Sequence, residues 1–305
     1  MPLDKQIALF LQQQADVPAP SSLEALRAQT AVGLRSLQGE PQPVQRITEF
    51  HIPVSGGQTI AVRGYVPLNA SVDVTLAAMV FAHGGGWCLG SLDVYDVPCR
   101  ALANATGRMI LSVDYRLAPE YPFPTPLDDV YQALCWASEQ AAQIGIDPLR
   151  IALGGDSAGG NLAAAAALMA RDRSGPSVEH QYLLYPALDS GMTMPSFSQY
   201  GEGYYLTQEV MSWCWENYLG QEPERQQPYA SPWYAESVAD LPPATILVCE
   251  YDPLRDEGER YAQRLQAAGI SVNCQRLPGM VHACMHMTGL TPAAQSLFTA
   301  LETSA

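Results

Sequence analysis

The chain has 305 residues, of which 48% are hydrophobic, enough for a large buried core. Its formal net charge of −15 argues against a nucleic-acid partner, because such a surface cannot neutralise phosphates. No stretch approaches the ~20 apolar residues of a membrane span, and seven cysteines without metal-type spacing indicate reduced thiols in a cytoplasmic protein.

Two short amphipathic segments come before the first predicted strand. The spacing of apolar residues predicts helices over 3–14 and 22–37, and Ser21-Ser22 can cap the second. The opening 45 residues are too few to form a domain. They serve either as a lid over a site or as a brace on the core, and both interpretations stay open.

Strands alternate with helices through most of the remaining chain. A hairpin over 46–53 and 59–66 turns at Ser55-Gly56-Gly57. Near-continuous apolar runs at 76–82, 108–113, 151–153, 181–185 and 244–249 predict buried strands, and a last strand covers 271–276. Helices are predicted over about 94–106, 128–137, 161–169, 256–268 and 292–302. This alternation predicts a mostly parallel sheet covered by helices on both faces.

Residues 187–230 interrupt the alternation. They are rich in Tyr, Met, Trp and Gly, and include Tyr204-Tyr205-Leu206, Trp213 and Trp215. Because they fall between two core strands, we interpret them as an inserted cap on a core formed by 46–186 and 231–305. Their aromatic side chains either line an apolar pocket or form the core of the cap itself.

The segment Gly155-Asp156-Ser157-Ala158-Gly159-Gly160 lies between a predicted strand and an alanine-rich helix. G-x-S-x-G in that context is the nucleophile elbow, a turn so sharp that its serine needs a strained backbone. Gly155 and Gly159 remove side chains that would clash there. A simple Gly-Ser turn capping a helix is the alternative, but partner residues elsewhere in the chain favour catalysis.

A glycine-rich loop, His83-Gly84-Gly85-Gly86, follows the strand over 76–82. Its uncovered N–H groups can point at a developing negative charge, which predicts an oxyanion hole formed by Gly84, Gly85, Gly86 and the N–H of Ala158. A phosphate loop would need Gly-Lys-Ser/Thr, which is absent. We expect His83 to shape the loop and not to act as the catalytic base.

Three residues that follow predicted strands predict a catalytic triad. Ser157, Asp252 and His282 occur in the chain order that α/β-hydrolases use. The carboxyl ends of parallel strands meet at one edge of a sheet, so we expect these side chains to lie together. Ser157 would attack an ester carbonyl, His282 would transfer its proton, and Asp252 would fix the imidazole.

Four other polar residues near these positions receive different interpretations. Asp256 and Glu257 fall inside the next predicted helix, away from the strand end. His286 follows His282 by four residues, but no Glu follows His282, so the H-E-x-x-H zinc signature fails. Asp156 is interpreted as a polar neighbour of the nucleophile and not as a triad member.

Together these motifs resemble the hormone-sensitive-lipase-like family (family IV) of microbial carboxylesterases. The matching blocks lie at 83–86, 115–120, 155–160, 252–258 and 279–282, and the resemblance covers about residues 45–300. It implies an α/β-hydrolase fold with an eight-stranded sheet and a helical cap formed by residues 1–45 and 187–230. It also implies hydrolysis of short-to-medium acyl esters, oxyanion donation mainly by Gly85 and Gly86, and no metal or organic cofactor.

The sequence departs from the family pattern beside the expected pocket. Cys88 follows Trp87 in place of a small or aliphatic residue, Tyr95 stands where the family usually has His, and Ala283-Cys284 replaces Gly-Phe. These departures concern the substrate and not the triad. The residues expected to contact a small-molecule ester are Trp87, Cys88, Asp156, Tyr185 and Leu206.

Two other functions on the same fold are a non-catalytic ligand receptor and an amide hydrolase. A non-catalytic ligand receptor of this type lacks the catalytic His, so the presence of His282 favours an enzyme. An amide substrate would use the same triad, and the sequence does not separate it from an ester. The resemblance also raises a homodimer through an edge strand as a hypothesis.

Overall fold

The computed structural model describes residues 1–14, 20–71, 74–220 and 225–302, and it contains the eight-stranded sheet that the sequence predicts. The strands are β1 Arg46–Val54, β2 Gln58–Val66, β3 Leu76–Ala82, β4 Met109–Val113, β5 Ile146–Asp156, β6 Gln181–Leu184, β7 Ala244–Tyr251 and β8 Val272–Val281. The helices are α1 Lys5–Gln14, α2 Leu23–Leu37, α3 Asp96–Thr106, α4 Thr125–Glu139, α5 Ala141–Ile144, α6 Ala158–Asp172, α7 Pro195–Tyr200, α8 Gln208–Leu219, α9 Arg255–Ala267 and α10 Ser296–Glu302. None of these helices is both long and apolar enough to cross a membrane.

The strands lie in the order β1-β2-β4-β3-β5-β6-β7-β8. The pairs β1–β2 and β2–β4 are antiparallel, and every other neighbouring pair is parallel. The carboxyl ends of β3, β5, β7 and β8 therefore meet at one edge of the sheet, where α/β proteins place their sites. The chain segments that carry the glycine loop, the serine, the aspartate and the histidine all emerge at this edge.

Alternation along the buried strands divides the core into two layers. In β3, Val80 joins one apolar cluster with residues of α4 and α6, whereas Met79 and Phe81 join the other with residues of α3 and α10. Successive side chains of a strand point to opposite faces, so a continuously apolar strand supplies both layers. The sheet is thereby covered by packed apolar side chains on both faces.

Several element boundaries differ from the sequence prediction. Helix α4 begins at Thr125 and not at Asp128, because Pro126 is well suited to the first helical turn, where its missing N–H costs no hydrogen bond. Asp129 consequently lies within the helix, fully buried, where its carboxylate receives two hydrogen bonds of 2.6 and 2.9 Å from the Arg116 guanidinium. The β8 strand extends to Val281, so His282 directly follows it.

The segments before and between the core strands pack against the carboxyl edge of the sheet. Ser22 caps α2 by accepting a hydrogen bond from the Ala25 N–H, as its position predicted. In the insertion, Trp215 and Tyr218 of α8 are fully buried, and Tyr218 stacks on Trp87 with ring centroids 4.4 Å apart. These two aromatic residues therefore belong to a packed core between the insertion and the glycine loop.

Candidate active site

The turn between β5 and α6 holds Ser157 in a strained conformation. Its φ of 53° and ψ of −120° lie in a region that residues with a side chain rarely adopt. A methyl group on Gly159 would overlap the carbonyl oxygen of Ala82, and one on Gly155 would overlap that of Gly159. The two glycines are thus required by close backbone approach, and the turn presents the serine hydroxyl at the edge of the sheet.

A continuous chain of hydrogen bonds joins Ser157, His282 and Asp252. The Ser157 Oγ lies 2.8 Å from Nε2 of His282, and Nδ1 of the same ring lies 2.8 Å from Oδ2 of Asp252. Asp252 is fully buried and its Oδ1 accepts the Leu254 N–H at 2.9 Å, which fixes the carboxylate. This geometry places a proton on Nδ1 and leaves Nε2 as the acceptor of the serine proton.

The glycine loop is a hydrogen-bonded turn beside this serine. The carbonyl oxygen of Gly85 accepts the N–H groups of Cys88 and Leu89 at 3.1 and 2.9 Å. Gly85 and Gly86 have φ of 115° and 58°, which favours glycine. Their N–H groups have no partner among the described residues, and the N–H of Ala158 opens helix α6, where amides lack intrahelical acceptors.

Gly84 corrects the sequence prediction of a fourth oxyanion donor. Its N–H donates a hydrogen bond of 2.8 Å to Oδ1 of Asp156, so this group is already occupied. The other carboxylate oxygen, Oδ2, accepts the Tyr95 hydroxyl at 3.1 Å and lies 3.5 Å from that of Tyr185. Burial raises the pKa of Asp156 to about 6. Asp156 therefore ties the glycine loop to the elbow.

His83 lies under the glycine loop and is fully buried. Its Nδ1 lies 2.8 Å from the Gly84 carbonyl oxygen, and its ring stacks on Tyr115 with centroids 4.3 Å apart. The Tyr115 hydroxyl donates to the His83 carbonyl oxygen at 2.8 Å. Burial lowers the pKa of His83 to about 4, which keeps the ring neutral. These contacts fit a residue that shapes the loop.

A cavity of about 140 Å³ opens beside the serine. Of the five residues expected to contact substrate, Asp156 and Leu206 line it, and Trp87, Cys88 and Tyr185 do not. The remaining wall is formed by Thr30, Leu34, Gly85, Gly86, Leu89, Tyr95, Ser157, Tyr205, Val210, Met211, Cys214, His282, Ala283 and His286.

The three residues outside the cavity wall correct the sequence prediction. Trp87 turns away to stack on Tyr218, and Cys88 is fully buried behind the loop. The Tyr185 ring lies edge-on to His282 at 4.9 Å and supports the triad from behind. Trp87 and Cys88 adjoin the glycine loop in sequence and Tyr185 follows the end of β6, but all three side chains lie outside the cavity wall.

The wall residues that sequence reasoning missed come mainly from the helices outside the core. Thr30 and Leu34 belong to α2, and Met211 and Cys214 to α8. Each pair is spaced by three or four residues, which places both members on one helix face. That spacing predicts only that the two side chains share a helix face. Tertiary packing decides which part of the protein that face contacts. Tyr95 and Ala283, both noted as departures from the family pattern beside the expected pocket, were local signals for two other wall residues.

The residues set aside at the sequence level make other contacts. Asp256 accepts the Ser196 N–H at 3.0 Å, and Glu257 accepts the Leu188 N–H at 2.6 Å. His286 is buried with its Nδ1 2.8 Å from Nε2 of Gln38. Within the described ranges, no three His, Cys, Asp or Glu side chains form a group that could hold a metal ion.

Comparisons with known proteins agree with this geometry. A family model described as alpha/beta hydrolase fold matches residues 79–286. The carboxylic ester hydrolase LipN of Mycobacterium tuberculosis is 41% identical over 253 residues, covering 81% of this chain and 66% of LipN. The carboxylesterase NlhH of the same organism is 40% identical over 282 residues, covering 90% and 86% of the two chains.

The solved structure of a hyperthermophilic esterase from the archaeon Pyrobaculum calidifontis superposes with a TM-score of 0.91 at 37% identity. The match covers 100% of this chain and 98% of that chain. Similarity in sequence and in structure thus extends over nearly the whole length of the chain. The chain belongs to the α/β-hydrolase fold family, in its hormone-sensitive-lipase-like (family IV) branch of esterases.

Proposed function

We propose that this protein is a serine carboxylesterase that hydrolyses esters with short-to-medium acyl chains through an acyl-enzyme. The observation that carries the proposal is the pair of 2.8 Å contacts linking Ser157 to His282 and His282 to Asp252. His282 Nε2 takes the proton of Ser157 as Oγ attacks the ester carbonyl carbon, and then gives it to the leaving alcohol. Water repeats the sequence in reverse and releases the acid.

The negative charge that forms on the carbonyl oxygen meets three backbone donors. These are the N–H groups of Gly85 and Gly86 and that of Ala158, the residue after the nucleophile. The His282 imidazolium that forms at the same time is paired with the buried carboxylate of Asp252. Loss of one oxyanion donor typically costs about 10²–10³ in rate, so this loop supplies a large part of the catalysis.

The size of the cavity supports the preference for shorter acyl chains. Its volume of about 140 Å³ is well below the roughly 300–1,000 Å³ of pockets for drug-sized ligands. Leu206, Val210 and Met211 line one side with apolar groups suited to an alkyl chain. Because α2 and α8 supply much of this wall, residues 1–45 and 187–230 act as a cap over the core.

A series of p-nitrophenyl esters from acetate to palmitate tests the proposal with wild type, Ser157→Ala and Ser198→Ala. Ser198 is an exposed serine of α7 and is the matched control. We expect turnover that peaks at short chains, persists in Ser198→Ala and is lost in Ser157→Ala. Folded wild type that turns over no ester or anilide would contradict the enzyme assignment, and turnover by Ser157→Ala would contradict the mechanism.

A further inference from the structure

Arg27 of helix α2 reaches from outside the core onto the glycine loop. Its Nε donates a hydrogen bond of 2.8 Å to the carbonyl oxygen of Cys88, and its Nη2 donates one of 3.1 Å to that of Ala118. Both terminal nitrogens also contact the Glu120 carboxylate at 2.7 Å. One planar guanidinium thus joins the α2 helix to two separate backbone segments of the core.

The carbonyl that Arg27 holds belongs to the turn that presents the oxyanion donors. The N–H of Cys88 donates to the Gly85 carbonyl oxygen, so residues 85–88 form one hydrogen-bonded unit. The preceding carbonyl, that of Trp87, accepts the Ala118 N–H at 2.9 Å. Arg27 and Ala118 therefore fix two successive carbonyl groups of this turn, those of Cys88 and Trp87.

The same helix face contacts the substrate cavity. Thr30 and Leu34 follow Arg27 by three and seven residues, and both line the wall beside Ser157. A guanidinium at one end of this face therefore sets the position of two wall residues along it. The oxyanion turn and this part of the wall share one anchor.

We propose that Arg27 is a positioning residue for the oxyanion hole, acting through the Cys88 and Ala118 carbonyl groups. The proposal rests on the proposed esterase function, because it assigns a role within that mechanism. The contacts to the two carbonyl groups carry the effect. The Glu120 carboxylate is half-exposed at 49%, and exposed ion pairs contribute little by themselves. Its role is to orient the guanidinium.

Four variants test this assignment: Arg27→Ala, Arg27→Lys, Glu120→Gln and Arg35→Ala. Arg35 lies on α2 with an exposed side chain and is the matched control. With p-nitrophenyl acetate, we expect Arg27→Ala to lower kcat at least about tenfold, toward the ~10²-fold that a 1 Å misplacement costs. Arg27→Lys keeps the charge but cannot span both carbonyl groups, so its kcat should fall nearly as far.

Glu120→Gln should change kcat by less than about fivefold, since the carbonyl contacts remain. Arg35→Ala should match wild type.

A second measurement separates positioning of the oxyanion hole from a general structural effect. An aliphatic trifluoromethyl ketone forms a hemiketal oxyanion on Ser157, so its inhibition constant should rise in Arg27→Ala in proportion to the fall in kcat/KM. Circular dichroism and Tm establish that each variant is folded, and Arg27→Lys supplies the comparison if Arg27→Ala does not fold. A kcat in folded Arg27 variants equal to that of Arg35→Ala would overturn the proposal.

An unchanged inhibition constant in Arg27→Ala would overturn it as well. Neither result touches the esterase assignment, which fails only if wild type is inactive or Ser157→Ala retains turnover.

Discussion

Replacing Asp156 with Asn should stabilise the folded protein while slowing it. The carboxylate is 1% exposed, and burial raises its pKa from 3.8 to about 6. An Asn side chain can accept the Gly84 N–H with its oxygen, and its amide can donate to the Tyr95 hydroxyl oxygen, which reverses the hydrogen bond that this hydroxyl donates to Asp156. The substitution therefore removes a buried charge and keeps one hydrogen bond to each of these two groups.

The sign and size of the effect follow from the pKa. Between about pH 4 and pH 6 the folded protein binds a proton that the unfolded chain has released, so the free energy of unfolding falls as pH rises through this range. A pKa raised from 3.8 to about 6 corresponds to about 3 kcal/mol in the free energy of unfolding. Asn does not titrate, so Asp156→Asn does not lose this stability as pH rises. Its free energy of unfolding should exceed that of wild type by about 3 kcal/mol at pH 7 and by nearly nothing near pH 4.

Urea unfolding followed by circular dichroism at pH 4, 5, 6 and 7.5 measures this difference. Asp93→Asn, at an exposed carboxylate, is the control and should change stability by less than about 1 kcal/mol at every pH. We also expect a lower kcat for Asp156→Asn, because the negative charge of Asp156 favours the His282 imidazolium. A difference in stability that does not vary with pH, or an Asp156→Asn variant less stable than wild type at pH 7.5, would refute the reasoning.

Two further predictions concern the elbow and the cavity wall. Gly159→Ala should yield no folded protein by circular dichroism, because the methyl group would overlap the Ala82 carbonyl oxygen. The control is Gly33→Ala on α2, whose methyl group would meet nothing within 4 Å. This variant should raise the free energy of unfolding, measured in urea, by about 0.5–1 kcal/mol. Soluble, active Gly159→Ala would contradict this steric argument. Met211→Ala removes side-chain volume from the apolar wall and so enlarges the cavity, and kcat/KM across the p-nitrophenyl ester series should peak at a longer acyl chain than in wild type. An unchanged chain-length optimum would show that Met211 does not limit the acyl group.

Features that depend on local chemistry were predictable from the sequence. The strand-turn-helix context of Ser157 needs two small residues beside the serine, and only glycine meets the close approach that the structure shows at Gly155 and Gly159. Continuous apolar runs predicted the buried strands, because a strand covered on both faces has no polar side. Because Ser157, Asp252 and His282 each follow a predicted strand of a mostly parallel sheet, the sequence also predicted that these side chains would lie together.

The direction of individual side chains was not predictable in this way. Trp87 adjoins the glycine loop in sequence and Tyr185 follows the end of β6, but Trp87 stacks on Tyr218 and the Tyr185 ring lies edge-on to His282. Gly84 stands in a run of three glycines that residue type alone does not distinguish, and in the structure its N–H is occupied by Asp156. A pattern of residue types does not predict which N–H group donates to an acceptor in a distant part of the chain.

The sequence by itself determined the fold class, the sharp turn at Ser157 and the chain order of the proposed triad residues, because each depends on neighbouring residues and on strand periodicity. Tertiary structure alone decided what covers the site. Arg27 contacts Cys88 and Glu120 across 61 and 93 residues of sequence, and Thr30 of the same helix reaches the cavity. Such contacts arise when separate elements pack together, and an amphipathic helix shows that it has a face to bury without showing against what.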